Sequence, residues 1–497
     1  MVVGGYCADD LWLVHRRTRA VPFPVVAVPR RRSDDGTDPP VAAGTVAECD
    51  TGAVIRIATF EEAVKQGSAT ASAGSRQTIP KQREPVGRPL PGPIREGPGI
   101  PAPLGPPRAP PAPGPDSTSR PFADSRTPRS MPRLINCLEG GHVKIHMTNL
   151  LQNYNNAHKD HDVYRDHIAL SLRADEDGYE SIGCVEHHFD PGYSMCPDNT
   201  QFLSYLAGRT KNAKVHTTAV ILPWNNPMRV VEKIALLDNL SDGRALFGMG
   251  RGLARREFEG FGIEMGESRE RFDEAAEMII RGLEDGFVEN DGKYYPQAKV
   301  PIHPAPLATF KGRTTCVAMS PDSAVTAGRL GVTMMAFIQG PMDTMHMPMI
   351  QQYRDSYREH HGGEAPAPLL IDLTYCHRDS EEARTVAFEA IANYYMCCVE
   401  HYEFGGRHFE STKGYASYAA AKEAIDEYGL DAVVDTYVNA QIWGTPEEQI
   451  AKHEERKAIV GDYEPIMVFQ YGGLMGQKAT DSYELFTREV MPVLQKM

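Results

Sequence analysis

Positive charge is in short supply in this 497-residue sequence. The 52 Lys and Arg residues against 66 Asp and Glu leave a formal net charge of −14. That balance argues against wholesale binding to nucleic acid or an anionic membrane, since counterion release needs a positive face. No apolar run is long enough to span a bilayer, and the opening MVVGGYCADDLWLVHRRTR, with acids before a short apolar patch and arginines after it, is not a secretory signal. The 9 cysteines are odd in number and scattered, with no Cys-x-x-Cys pair, and the adjacent Cys397 and Cys398 point apart in an expected helix. Reduced thiols in a cytoplasmic protein are therefore expected rather than a disulfide framework. His-Glu-x-x-His, a Walker loop and a Gly-x-Ser-x-Gly elbow are all missing, so no metal site is expected. His360-His361-Gly362-Gly363 reads as a solvated helix end, and the methionines from Met342 to Met349 as core or interface packing.

What is present is organised around Val215 to Leu253, VHTTAVILPWNNPMRVVEKIALLDNLSDGRALFGMGRGL. Val215 to Leu222 is β-branched and apolar, as a strand buried on both faces of a parallel sheet requires. Asn226 is placed to cap the next helix, with Pro227 in its first turn, where no backbone donor is lost. Val230, Ile234 and Leu237 then give that helix an apolar stripe. Asp242-Gly243 breaks it, and Ala245 to Met249 forms a second strand ending in Gly250-Arg251-Gly252, a cation between two residues that let a ligand approach the backbone.

Residues 1 to about 140 read differently. Arg30-Arg31-Arg32 and the tract PLPGPIREGPGIPAPLGPPRAPPAPGPDS have no periodicity from which to build a core, and only Ala53 to Val64 could form a strand and a helix turn. This stretch is expected to be a disordered Pro- and Arg-rich extension, with Met131 and Met147 as alternative starts; a Pro-rich partner-binding arm is the other reading. From residue 141 to 497, strands alternate with helices. Strands are expected at Val143–Leu151, Ser181–Val185, the two named above, Thr314–Met319, Val332–Ile338, Leu369–Cys376 and Pro465–Gln470. Helices are marked by Tyr164, Ile168 and Leu172 up to Gly178, by Thr200–Arg209 after Asp198 or Asn199, by Glu267–Leu283, and by Asp481–Leu494 at the end. A long helical insertion, Glu381–Glu455, precedes the last strand; its piece Gly405–Tyr415 could be a mobile lid, and Thr445-Pro446 is a helix start. Eight alternating strands point to a closed (β/α)8 TIM barrel, and no G-x-G-x-x-G follows the first strand to favour an open sheet.

In such a barrel the loops after the strands build the site. After the second strand comes Glu186-His187-His188-Phe189. Neighbouring residues on a strand face opposite ways, so one histidine, His187, is expected at the barrel mouth as an acid/base or donor; a rim histidine satisfied by carbonyls is the plainer reading. After strands four and five, Arg251 and the helix start Ser320-Pro321-Asp322-Ser323 together suit a phosphate, although singly they read as a surface ion pair and an ordinary cap. After strand eight, Gln470-Tyr471-Gly472-Gly473 reads either as a flexible rim that could contact a ring system or as a plain turn.

Glu186-His187-His188-Phe189, TAVILP followed by PMRVVEKIALLDNLSDGR, FGMGRGL, ESRERFDEAAEMI, the late GTPEEQI and VMPVL resemble, in order, the luciferase-like monooxygenase family from about Met147 onward. The resemblance implies a barrel that binds reduced flavin mononucleotide (FMN), usually supplied by a separate reductase, and uses dioxygen to oxidise a small organic substrate, an aldehyde in the light-emitting members. By position, His187 matches the family's catalytic histidine. Arg251 matches its phosphate-binding arginine, joined by Ser320, Ser323 and the backbone at Met319. Thr218-Ala219 matches a non-proline cis peptide against the isoalloxazine ring. A homodimer through helices near the second and third strands is also implied. Two departures stand out: Gly250 replaces the reactive cysteine of the light-emitting members, and Met319 replaces the acid before the phosphate serine. Flavin binding should survive both, while light emission and the substrate stay open. The alternatives are hydride transfer with the deazaflavin F420, which part of the superfamily uses, and a flavin-binding protein without turnover.

Overall fold

The computed structural model describes residues 143–497; the extension assigned to residues 1–140, with its strand and helix turn at 53–64, lies outside them. Eight strands form the barrel: β1 (His146–Asn149), β2 (Ser181–Cys184), β3 (Lys214–Thr217), β4 (Ala245–Gly250), β5 (Thr314–Val317), β6 (Thr333–Phe337), β7 (Leu369–Leu373) and β8 (Glu464–Val468). Each pairs in parallel with its successor. β8 returns to β1 through His146 opposite Ile466 and Met147 opposite Met467, which closes the ring. The expected TIM barrel is thus present. The long strand expected at Val215–Leu222 is instead interrupted at the cis Thr218–Ala219 peptide, beyond which Val220–Ile221 pairs with the end of β4.

The helices start and stop where local chemistry dictates. α1 (Asp160–Asp177) ends on Gly178, whose φ of +89° is the left-handed conformation that glycine adopts freely. Asp198 caps α2 (Asn199–Ala207), and Asn226 caps α3 (Pro227–Leu240) by accepting from the backbone N–H of Arg229 at 3.3 Å. A short α4 (Arg255–Phe261) precedes α5 (Ser268–Asp285), which buries Phe272, Ala276 and Ile279 against Phe247, Val231 and Ile234. α6 (Pro321–Leu330) and α7 (Met347–His361) follow β5 and β6. Between β4 and β5 an antiparallel hairpin, Phe287–Asn290 with Gln297–Pro301, adds material that the sequence did not announce. Its strands are largely solvated on both faces, so no apolar alternation marks them.

The barrel interior is partly polar. His146 meets Ser181 at 2.7 Å, Thr148 meets Thr218 at 2.6 Å and His216 meets Thr315 at 2.9 Å. Gly248 has to be glycine, because a Cβ there would lie 2.0 Å from the Thr217 carbonyl oxygen. The insertion between β7 and β8 contains α8 (Ser380–His401), α9 (His408–Ser411), α10 (Ala419–Tyr428), α11 (Leu430–Ala440) and α12 (Pro446–Val460). Ala387, Ile391, Tyr395, Tyr415 and Tyr437 join it to Met335, Ile371, Leu373 and Val468 in one apolar cluster. α13 (Gly476–Leu485) follows β8. Among the described residues, no helix is long and apolar enough to cross a membrane.

α12 opens with a complete capping box, in which Thr445 accepts from the N–H of Glu448 while Glu448 accepts from that of Thr445. Thr445→Ala should lower stability by about 1 kcal/mol, read as a shift in the urea midpoint.

Burial holds four histidines neutral. His167 and His216 are pushed down to about 3 and His346 to about 4, each by desolvation, and His453 lies well below the ordinary imidazole range for the same reason. The unfolded chain binds protons at these sites below about 6.5 and the folded chain does not, so their contribution is complete above that pH and is lost as pH falls toward 3–4. His401 is shifted upward and opposes this trend. The urea midpoint should therefore fall steadily between pH 6.5 and 4.5, before the carboxylates contribute.

Candidate functional site

The residues singled out from the sequence sit at the carboxyl ends of the strands. Arg251 directly follows β4 and is 7% exposed. Its Nη1 donates to the Gly414 carbonyl at 2.8 Å, and its guanidinium stacks 3.9 Å from the Tyr415 ring centroid. Tyr415 donates in turn to the carbonyl of Gly252 at 2.9 Å. Residues 414–418, at the edge of the expected lid, thus lie directly over the arginine.

Ser320 caps α6 and its Oγ is 3.0 Å from that of Ser323; both are buried. A second cation, Arg269, reaches the same place from the first turn of α5, with Nη2 3.3 Å from Ser323 Oγ and Nη1 3.4 Å from Thr326 Oγ1. Burial, then the neighbouring Arg251 charge, push Arg269 below the ordinary guanidinium range, with Asp273 and Asp322 offsetting part of the shift. The buried Tyr418 phenol is raised by burial, and the nearby Arg251, Arg269 and Ser320 lower it in part. The arrangement therefore brings Arg251, Ser320 and Ser323 together and adds Arg269 and Tyr418. Sequence reasoning missed Arg269 because it lies on a helix whose exposed face is charged throughout.

Two cations this close, neither in a salt bridge among the described residues, are poorly compensated. With two serine hydroxyls and the N–H groups at the start of α6, they form a cradle of donors and positive charge, chemistry that suits an oxyanion. Met319 is half-buried, and its Sδ lies 3.3 Å from the backbone N of Phe337.

A second cluster gathers around the end of β2. His187 Nδ1 lies 3.1 Å from Glu257 Oε1, and the backbone N–H of His188 donates to the same oxygen at 2.7 Å. His188 turns the other way, with Nε2 3.2 Å from Glu186, which also accepts from Trp224 and Asn225. The opposed orientation expected of adjacent histidines is thus observed. Burial would raise the Glu257 carboxyl, but His187 and then His401 outweigh it and hold it well below the usual carboxylate range. His401 Nδ1 is 3.0 Å from Asp190, which also pairs with Arg256 at 2.8 Å. Burial lowers His401, while Asp190 and Glu257 together raise it further than burial brings it down.

Thr218 and Ala219 are buried between these clusters, joined by the cis peptide. Asn199 holds the Ala219 carbonyl at 3.0 Å. The flexible rim expected at Gln470–Gly473 is corrected by the structure. Gln470 and Tyr471 are buried, Gly472 donates to Gln152 at 2.6 Å, and a Cβ on Gly472 would lie 1.8 Å from the Ala390 carbonyl of α8. A surface hollow of about 650 Å³ lies between α5 and the hairpin beside Met278, Arg281 and Phe287, away from the strand ends.

A closed parallel barrel with two cations and two serine hydroxyls gathered at its carboxyl rim, beside a histidine–carboxylate cluster, defines a TIM-barrel protein. The chain belongs to the luciferase-like monooxygenase family, whose model matches residues 143–463. An alkanal monooxygenase alpha chain of Photorhabdus luminescens is 31% identical over 167 residues, covering 34% of this chain and 46% of that relative. Another alkanal monooxygenase alpha chain of the same organism is 25% identical over 337 residues, covering 66% of this chain and 91% of the relative. Among solved structures, monooxygenase RslO1 from Streptomyces bottropensis superposes with a TM-score of 0.58 at 24% identity, covering 70% of this chain and 99% of that one. The oxygenating constituent of 3,6-diketocamphane monooxygenase from Pseudomonas putida, in complex with FMN, gives 0.55 at 19% identity over 71% and 98%. An F420-dependent secondary alcohol dehydrogenase gives 0.54 at 19% identity over 71% and 99%.

Proposed function

We propose that this chain is a flavin-dependent monooxygenase that takes reduced FMN and dioxygen and oxidises a small organic substrate. The observation that carries the reading is the cradle of Arg251, Arg269, Ser320 and Ser323, whose charge and donors fit a phosphate monoester dianion. In this reading Arg251, Ser320, Ser323 and the Met319 backbone hold the phosphate, and Thr218–Ala219 lies against the flavin ring. When bound, the reduced flavin supplies the electrons that activate dioxygen. His187, fixed through Nδ1 by Glu257, keeps its other nitrogen available to hold or move a proton at the barrel mouth. The insertion keeps water from the reacting atoms by lying over Arg251.

Titration of the full chain with reduced FMN under anaerobic conditions, followed by oxygen and a panel of aldehydes and other small organics, tests the reading. Tight FMN binding with substrate-dependent oxygen consumption supports it. Preferential binding of F420 over FMN would move the protein to the hydride-transfer branch, a reading favoured by the F420-dependent structural neighbour. Retained flavin with no oxygen consumption above the protein-free rate would leave a binding protein.

A separate reductase as flavin source belongs to the same proposal, as does a cytoplasmic homodimer. For the dimer, α2 and α3 carry the exposed apolar residues Tyr205, Leu236 and Leu240, and light scattering would report the mass in solution.

A further inference from the structure

The cluster at the end of β2 has a third member, His401, that the proposed flavin chemistry gives no role. His187, Glu257 and His401 come from three separate segments: the loop after β2, α4, and the last turn of α8. Their nearest ligand atoms all lie within 4.8 Å of one another. His187 Nδ1 is 3.1 Å and His401 Nε2 is 3.7 Å from the same Glu257 oxygen. Ligands of a tetrahedral zinc ion, at about 2.0–2.2 Å from the metal, stand roughly 3.3–3.6 Å apart; the two separations to Glu257 bracket that range, and the two histidines lie within 4.8 Å of each other.

A second observation points to a ligand. The His401 side chain is 0% exposed, its Nε2 has no hydrogen-bond partner, and it is aimed at Glu257. Its other nitrogen is held by the Asp190 carboxylate at 3.0 Å, the carboxylate–histidine pattern that orients a metal-binding imidazole. Both rings are fixed from the side. His401 stacks on Tyr193 at 4.2 Å and 16°, and His187 meets the same ring edge-on at 4.8 Å. Glu257 is anchored by the N–H of His188.

We infer that His187, Glu257 and His401 form a binding site for a zinc-type divalent cation, with the fourth position open on the exposed side of His187. Two imidazoles and one carboxylate suit zinc, whereas magnesium and calcium favour all-oxygen sets. Asp190 is a positioning residue, acting on the ion through His401. An ion on Nδ1 of His187 keeps that ring's proton on Nε2. The histidine can then donate at the barrel mouth but not accept, so zinc is an inhibitor of any reaction that uses it as a base.

The test uses the full chain free of flavin, titrated with zinc chloride by calorimetry, with cobalt(II) as a spectroscopic substitute. One zinc per chain at micromolar affinity or tighter is expected, with the strong visible absorption of four-coordinate cobalt. His401→Ala should abolish this site, and Asp190→Asn should weaken it about 10–100-fold. Unchanged zinc affinity in a folded His401→Ala or Glu257→Gln chain would overturn the assignment, as would binding no tighter than millimolar in the parent. Should both variants fail to fold, the parent's cobalt spectrum decides: a weak six-coordinate spectrum overturns the site and a strong four-coordinate one supports it. None of these readouts depends on the flavin reading, so either can fail alone.

Discussion

Replacing Arg251 with alanine should weaken the binding of reduced FMN by about 1.5–3 kcal/mol, roughly 10- to 150-fold in Kd, the range for losing a hydrogen bond to a charged group. The guanidinium is nearly buried, where a charge-assisted contact is poorly screened. Arg269→Ala should act in the same direction, through the cation that reaches Ser323. The double variant should lose less than the sum of the two single losses, because each cation raises the electrostatic penalty of the other and removing one relieves its neighbour. Anaerobic calorimetric titration of the three variants gives the full cycle. If Arg251→Ala binds FMN as tightly as the parent, the phosphate assignment is wrong.

The largest effect on stability is expected far from this cradle. Arg456 on α12 pairs with Asp372 on β7 through both carboxylate oxygens, one contact at 2.9 Å, with both side chains buried. Arg456 also donates to the carbonyl of Ala440 at 3.2 Å, so one side chain ties the end of α11 to the barrel wall. Arg456→Met would leave the Asp372 carboxylate buried without its countercharge, which typically costs about 3–5 kcal/mol. Combining it with Asp372→Leu should restore much of that loss, because removing both ions also removes their desolvation. Urea unfolding of the single and double variants checks this; a double variant less stable than Arg456→Met would contradict it.

The features readable in sequence were those written in contiguous residues. The βαβ unit around Val215 to Leu253, the caps Asn226, Ser320 and Thr445, and the placement of Arg251 after a strand all follow from local pattern, and the structure has each of them. That His187 and His188 point apart was readable because a strand alternates its faces. Features made by distant segments were not readable. Asp190 and His401 meet across 211 residues, and nothing in REFEGF or CVEHYEFG marks Glu257 or His401 as neighbours of His187. Gln470–Gly473 looked mobile because glycine pairs usually are. Here Gly472 is required by the backbone of α8, an element whose position no local pattern specifies, while Gly473 faces the Tyr154 ring.

The bond from Arg251 to the Gly414 carbonyl turns ligand entry into an exchange. If that guanidinium holds the phosphate proposed above, the oxyanion shares it with a peptide oxygen already bound at Nη1, so part of the measured affinity is a difference between two partners. A bare inorganic phosphate offers only its head group for that trade, whereas a molecule with a large aromatic body gains further contact along the barrel. On the reading proposed above, residues 414–418 would then act as a filter against small anions. A chain with that segment shortened would hold inorganic phosphate more firmly and tell it less well from larger phosphate esters.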